Sequence, residues 1–145
     1  MSDTENSRQY HLPISELIDR LTVTQIKLNT FVGEMDDYKS EIQRLLNDMD
    51  LIIKEKKLAL TADLIQQVIA LAQINLHIWQ NKDLMQENLE DEKRYLAFLK
   101  KAHQMNGVRN QIKNGILVFE GIKDESQIRS NFEVDGLDWH LGAKS

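Results

Sequence analysis

The sequence predicts an all-α protein, an antiparallel four-helix bundle with a non-helical C-terminal tail. Three observations lead to this prediction. The chain has 145 residues, the length of one ordinary domain, and is 41% apolar, enough to form one core. It contains one proline and six glycines, too few for a fold rich in strands and tight turns. Along four segments, apolar residues recur at steps of three and four, the spacing of amphipathic helices.

The first helix is predicted from Ser15 to Phe31, after a polar and flexible N-terminus at residues 1–12. Pro13 precedes it, Ser15 is its candidate N-cap, and Glu16 lies near the positive end of the helix dipole. The helix is apolar on more than one side. This predicts a central position in the bundle.

The second helix continues the steps of three and four beyond Gly33. Its apolar residues are Met35, Tyr38, Ile42, Leu45, Met49 and Ile52. Because the same alternation reaches back to Leu17, one interpretation joins the first two helices into a continuous coiled-coil rod. The other places a tight turn around Gly33 and Glu34, and periodicity alone leaves both open. The exposed repeat on these helices predicts a homo-oligomer, with a dimer as the first expectation.

The third helix is predicted over residues 62–85, with Thr61 as its N-cap, and the fourth over residues 91–117. The helical bundle then spans residues 13–118. Residues 119–145 form a C-terminal tail with no sustained helical period. Its apolar residues predict a tail that docks on the bundle or binds a partner, and they are Val134, Leu137, Trp139 and Leu141.

One amide interrupts the apolar face that is predicted for the third helix. The members of this face are Leu64, Val68, Leu71, Ala72, Asn75, Leu76 and Trp79. A buried amide without hydrogen-bond partners costs about 1–3 kcal/mol. In a hairpin about residue 88, Asn75 lies level with residues 102–106 of the fourth helix, where we expect its amide to find a partner. Asp83 is expected to serve the hairpin end.

The inner line of the fourth helix turns polar for two turns. Asn106, Arg109 and Lys113 lie on the line of the core residues, with Asn110 adjacent. In an up-down-up-down bundle the start of the first helix lies level with the end of the fourth, which brings Asp19 opposite Arg109 or Lys113. A continuous rod would leave these cations without an intramolecular partner. A buried unpaired cation is the costlier outcome, which favours the bundle.

We call five of these residues the polar seam: Asp19, Asn75, Asn106, Arg109 and Lys113. In one interpretation the seam is a satisfied buried network that specifies helix register. In the other it is a pocket for a phosphate, a carboxylate or a nucleotide-like anion, with Trp79 as a flat wall. Lys27 adds a third cation, against Asp19 and Asp83, which predicts surplus positive charge. The predicted ligand-binding residues are Asp19, Lys27, Asn75, Trp79, Asn106, Arg109, Asn110 and Lys113.

Three segments resemble a group of uncharacterised bacterial helical domains: ELIDRLTVTQIKL at 16–28, NLHIWQNKD at 75–83 and NGVRNQIKNGI at 106–116. Those domains are found fused to, or encoded beside, glycosyltransferases of surface-polysaccharide pathways. The resemblance covers three of the four predicted helices. It implies a helical fold and a glycosyltransferase as a partner. Members commonly carry an acidic pair after the tryptophan, where this chain has Lys82 and Asp83, and they offer no catalytic residues to transfer.

Composition argues against several classes of protein. The formal net charge is −5 and there is no extended basic block, which disfavours nucleic-acid binding. The helical patterns are amphipathic, so we expect no membrane span. The N-terminus lacks the layout of a secretory signal, and there is no cysteine for disulfides. We therefore expect a cytoplasmic protein.

Motifs for catalysis are scarce. The histidines form no close ligand pair, so no zinc or other cofactor is expected, and no nucleophile or phosphate-loop motif occurs. One enzymatic alternative is a Mg²⁺-dependent all-α nucleotide pyrophosphohydrolase, since Glu16 and Asp19, and likewise Glu87 and Glu90, have the spacing of its carboxylate pairs. The second pair lies where acids are expected at a helix start. A binding or accessory protein is favoured over an enzyme, with a purely structural oligomeric protein as a further alternative.

Overall fold

A computed structural model describes residues 12–121 and confirms the predicted all-α fold. Its four helices are α1 (Ile14–Thr30), α2 (Met35–Lys56), α3 (Ala62–Glu87) and α4 (Glu92–Glu120). The predictions for residues 1–11 and 122–145, the docked tail included, lie outside the described residues. Among residues 12–121, no helix is long and apolar enough to cross a membrane.

A turn separates α1 from α2, so the two do not form a continuous rod. The backbone leaves the helical conformation at Phe31, with φ −108° and ψ 100°. A short 3₁₀ turn, Val32–Glu34, then leads into α2. The predicted turn around Gly33 and Glu34 is confirmed.

The helices run alternately up and down. Ile14 at the start of α1 and Lys56 at the end of α2 both contact Glu120, at the end of α4. Asn81 on α3 donates to the carbonyl oxygen of Phe98 on α4 at 2.9 Å, as a hairpin of the two helices requires. The predicted central position of α1 is confirmed, because α1 packs against each of the other three helices.

One hydrophobic core joins all four helices. Its buried members are Ile14, Leu17, Ile18, Leu45, Ile52, Ala70, Leu71, Ile74, Met105, Val108, Ile112 and Ile116. Leu45 and Ile52 belong to the repeat on α2 that predicted self-association, and both are fully buried. The core therefore uses part of the surface from which a dimer was expected.

The buried face of α3 differs from the predicted one. Leu71 is buried as expected, but Leu76 is 42% exposed, and Ile74 is buried although it was not assigned to the face. The helix carries apolar residues on several sides, so periodicity does not fix which side faces inward. Packing against α4 determines which side of α3 faces the core. The two helices approach closely at Gly115, where a Cβ atom would lie 3.3 Å from Gln67 Oε1.

The helix starts agree only in part with the predicted caps. Thr61 is the N-cap of α3, as predicted, and its hydroxyl accepts from the backbone N–H of Leu64 at 3.1 Å. Ser15 is not the N-cap of α1, because the helix begins one residue earlier, at Ile14. Ser15 Oγ is buried and has no hydrogen-bond partner within residues 12–121.

Glu120 takes over the capping role at α1. Its Oε2 accepts the backbone N–H of Ile14 at 3.0 Å, and its Oε1 accepts from Lys56 Nζ at 3.2 Å. The Glu120 side chain is 1% exposed. A carboxylate at a helix N-terminus is favourable because it satisfies a free N–H and opposes the helix dipole. The predicted end of α4, near residue 117, was too early, because the helix continues to Glu120. The residues that the prediction left out make this contact.

We expect Glu120→Ala to lower the free energy of unfolding by about 1–3 kcal/mol, because the buried N–H of Ile14 loses its acceptor. Urea unfolding followed by circular dichroism measures this loss. Lys56→Ala is the control. The Lys56 side chain is 38% exposed, so its loss should stay below about 1 kcal/mol. Equal losses in the two variants would contradict the capping role.

Candidate functional site

Asp19 on α1 is the centre of the polar seam. It is 2% exposed, and its carboxylate is bound by groups from two other helices. Arg109 on α4 donates from Nε to Oδ1 at 2.9 Å and from Nη2 to Oδ2, a bidentate contact. Lys113 Nζ lies 3.6 Å from Oδ2. The prediction that Asp19 lies opposite Arg109 or Lys113 is confirmed, and the carboxylate lies near both cations.

Asn75 joins α3 to the same carboxylate. Its Nδ2 donates to Asp19 Oδ1 at 2.8 Å and to Thr22 Oγ1 at 2.7 Å, so both amide N–H groups bind α1. The prediction that this amide meets residues 102–106 of α4 is therefore wrong for its donors. Thr22 was missed by the sequence reasoning. It lies three residues after Asp19, on the same side of the helix, which was the available signal.

With Glu16 counted, the polar seam carries no surplus positive charge. Lys113 Nζ lies 2.7 Å from Glu16 Oε1, and the Lys113 side chain is only 8% exposed. Arg109 and Lys113 thus face two carboxylates, those of Glu16 and Asp19. The predicted surplus is wrong because it left out Glu16. It also counted Lys27, which lies eight residues, or about 12 Å, further along α1.

The remaining predicted ligand-binding residues are not among the side chains that bind Asp19 within residues 12–121. Trp79 packs edge-on against Phe31, with ring centroids 5.7 Å apart, towards the other end of the bundle. Asn106 and Asn110 are half-buried on α4, and the structure does not place either among the partners of Asp19. The structure therefore brings together Asp19, Asn75, Arg109 and Lys113. Ligand binding by the eight predicted residues stays a prediction.

Burial and charge act in opposite directions on Asp19. Burial raises the pKa of this carboxyl group, but the hydrogen bonds and charge of Arg109 lower it, with further lowering by Asn75 and Lys113. The net pKa lies below the ordinary value of 3.8. Asp19 is therefore held as a carboxylate, an acceptor and not a proton donor.

The carboxylate pairs of the hydrolase alternative do not meet. Glu16 and Asp19 are bound to Lys113 and Arg109. Glu87 is exposed at the C-terminal end of α3 and Glu90 is exposed in the α3–α4 loop. Glu87 lies about 18 Å along α3 from Asn75, which contacts Asp19. Within residues 12–121, no group of three or more His, Asp or Glu side chains could hold a metal ion.

Within residues 12–121, three open cavities lie at the end of the bundle where α1 ends. They are lined by residues 86–91, by residues 33–37, and by a set comprising Thr30, Phe31, Gly33, Glu34 and Tyr38. None of the three is lined by a residue of the polar seam. The polar seam and these three cavities therefore lie in different parts of the bundle.

A second feature of α3 has no sequence prediction behind it. From Leu64 to Asn81, 18 consecutive residues contain no Asp, Glu, Lys or Arg, although 28% of the whole chain is charged. Part of this stretch faces outward. Ile65, Ile69 and Leu76 are 45%, 61% and 42% exposed and follow one line along the helix, with Ala72 between them.

We call this outward surface the uncharged face, and its members are Ile65, Gln66, Ile69, Ala72, Gln73, Leu76 and Gln80. The three glutamines are exposed and run beside the apolar line at intervals of seven residues. Single exposed apolar residues are normal on a protein surface. A line of them on a helix with no charge over five turns is typical of an interface, where charged residues are depleted. The missing charges were the signal that sequence reasoning overlooked.

No protein-family model, curated protein or solved structure matches the chain. The resemblance of three segments to helical domains of glycosyltransferase systems therefore stays a prediction. The two features that the site offers are the polar seam, which is internally paired, and the uncharged face.

The lowered pKa of Asp19 predicts a specific pH dependence of stability. A carboxyl group whose pKa is lower in the folded than in the unfolded state stabilises the fold above pH about 4, and this contribution disappears as the pH falls through the lowered pKa. We expect Asp19→Asn to reduce the free energy of unfolding by about 2–4 kcal/mol at pH 7, because Arg109 loses its partner. The difference from wild type should shrink as the pH falls from 4 to 2.

Urea unfolding at a series of pH values measures this difference. Asp50→Asn, at an exposed position on α2 away from its first turn, is the control and should change stability by less than about 0.5 kcal/mol throughout. A gap between wild type and Asp19→Asn that stays constant down to pH 2 would contradict the paired state of Asp19.

Proposed function

We propose that this chain is a small helical accessory protein that acts by binding another protein surface through its uncharged face. The observation that carries the proposal is the exposed line of Ile65, Ile69 and Leu76 on a helix segment without charge. Burying such residues in a partner gains hydrophobic free energy and desolvates no charged group. While they are exposed to water, the same apolar side chains contribute no hydrophobic stabilisation to the fold.

The pairing inside the polar seam supports a structural role for it. An anion pocket needs donors that are free to bind the anion. Here Arg109 already donates to both oxygens of Asp19, and Lys113 contacts Glu16 and Asp19. An incoming phosphate would have to displace these carboxylates and leave them buried without partners, which is unfavourable. The polar seam thus fixes the register of the helices, and the uncharged face binds the partner.

A cytoplasmic location and a glycosyltransferase as partner remain parts of this proposal. The cysteine-free composition is in keeping with a reducing compartment. The resemblance of the three segments makes a glycosyltransferase the first heterologous partner to test.

Site-specific photo-crosslinking in the cells that make the chain tests the proposal. Benzoylphenylalanine is placed at position 69 on the uncharged face or, as the matched control, at position 96 on α4. Ile69 is 61% exposed and Leu96 52% exposed, so both probes reach the surface. We expect protein adducts from position 69 and few from position 96. Equal adduct yields at the two positions, or none at position 69, would overturn the proposal.

Thermal shift separates surface binding from the anion-pocket interpretation of the polar seam. We expect nucleotides and nucleotide sugars to leave the melting temperature of the wild type unchanged, with or without Mg²⁺. We also expect Arg109→Ala to lower it without any ligand, because Asp19 loses its bidentate partner. Arg94→Ala, at an exposed position on the same helix, is the control. A ligand-induced shift that Arg109→Ala abolishes and Arg94→Ala keeps would assign the binding function to the seam.

A further inference from the structure

We infer that the partner on the uncharged face is a second copy of this chain, with the two α3 helices antiparallel about a two-fold axis near Ala72. The inference rests on the proposed function and names the partner of the same surface. It places the dimer contact on α3, since the α2 repeat has Leu45 and Ile52 in the core. Three properties of the uncharged face fit a copy of itself.

The first property is the order of large and small side chains. Ile69 and Leu76 lie on either side of Ala72, and Ile65 and Trp79 lie one heptad on either side of it. A two-fold axis near Ala72 therefore places Ile69 of one copy against Leu76 of the other, and Ile65 against Trp79. The small Ala72 lies where the helices cross, which allows a close approach. A closed two-fold contact needs such a self-complementary surface.

The second property is the row of glutamines. Gln73 lies beside the axis, and Gln66 and Gln80 lie seven residues to either side. A primary amide both donates and accepts hydrogen bonds, so Gln73 can pair with Gln73 of the second copy, and Gln66 with Gln80. A row of lysines or glutamates would instead repel its own copy. An uncharged row of amides permits symmetric pairing.

The third property is the position of Asp83, the first charged residue beyond the uncharged stretch that lies on the same side of α3 as Ile65, Ile69 and Leu76. In the antiparallel pair, Asp83 of one copy comes level with Thr61 and Ala62 of the other, the start of α3. A carboxylate is favoured beside a helix N-terminus. The antiparallel orientation gains this contact at both ends of the pair, whereas a parallel orientation would place the two Asp83 carboxylates together.

Light scattering on purified full-length chain tests the inference. We expect the wild type to reach twice the 16.9 kDa of one chain as concentration rises. Ile69→Glu and Leu76→Lys should each raise the dimer dissociation constant about 100-fold, because a charge enters an apolar contact twice per dimer. The double variant should recover the dimer, since Ile69→Glu of one copy then faces Leu76→Lys of the other. Leu96→Glu on α4 is the control and should remain dimeric.

The absence of native cysteine allows a second, independent measurement. Ala72→Cys should form a disulfide-linked dimer on mild oxidation, because the two thiols lie beside the axis, whereas Gln43→Cys, exposed on α2, should not. Equal dimer yields from the two variants would overturn the inference. So would a double variant that stays monomeric while Ile69→Glu and Leu76→Lys are folded.

The outcomes also separate this inference from the proposed function. A wild type that stays monomeric at every concentration overturns the second copy as partner. If position 69 still gives photo-adducts of another mass in cells, the binding function of the face stands. A monomeric wild type that Ile69→Glu destabilises shows that the chain covers this face itself, which overturns both proposals.

Discussion

The buried carboxylate of Asp19 is the constraint on which the arrangement of three helices depends. A charge that is 2% exposed must be matched where it lies, and the matching groups come from α3 and α4. Hydrophobic contacts alone tolerate a shift of one helical turn along a neighbour. The bidentate contact of Arg109 does not, because its two donors must meet the two oxygens of one carboxylate. The register of α1, α3 and α4 is therefore set by these polar contacts as well as by the apolar core.

The two sides of α3 have different roles. One side faces the core and α1, where Asn75 gives both of its donors to α1. The opposite side carries exposed isoleucine, leucine and glutamine without charge. Because Arg109 and Lys113 are paired with Asp19 and Glu16 in the interior, changes on the outer side need not disturb these contacts. The helix is thus fixed from within while its outer surface remains available for association.

Asp19 and Arg109 could be paired from sequence because helix order and alternate direction alone bring them level. Other contacts were not predicted from the sequence, for identifiable reasons. Glu16 was assigned to the helix dipole, and its long side chain also reaches Lys113. Glu120 follows the last periodic residues of α4, so periodicity placed it in the tail. The inward side of α3 depends on its packing against α4, where Gln67 of α3 approaches Gly115 of α4, and no single-helix pattern contains such a contact.

The contact of Glu120 with Ile14 spans 106 positions of the chain, and it bears on the order in which the bundle forms. Synthesis delivers α1 before α4, yet the acceptor for the N–H of Ile14 and the guanidinium that binds Asp19 both belong to α4. Until α4 is present, the carboxylate of Asp19 lacks Arg109 and Lys113, the two cations that bind it in the bundle. The bundle therefore gains little stability before α4 packs, and its folding depends on contacts between residues that are far apart in the sequence. We therefore expect residues 12–121 to fold as one unit that α4 completes.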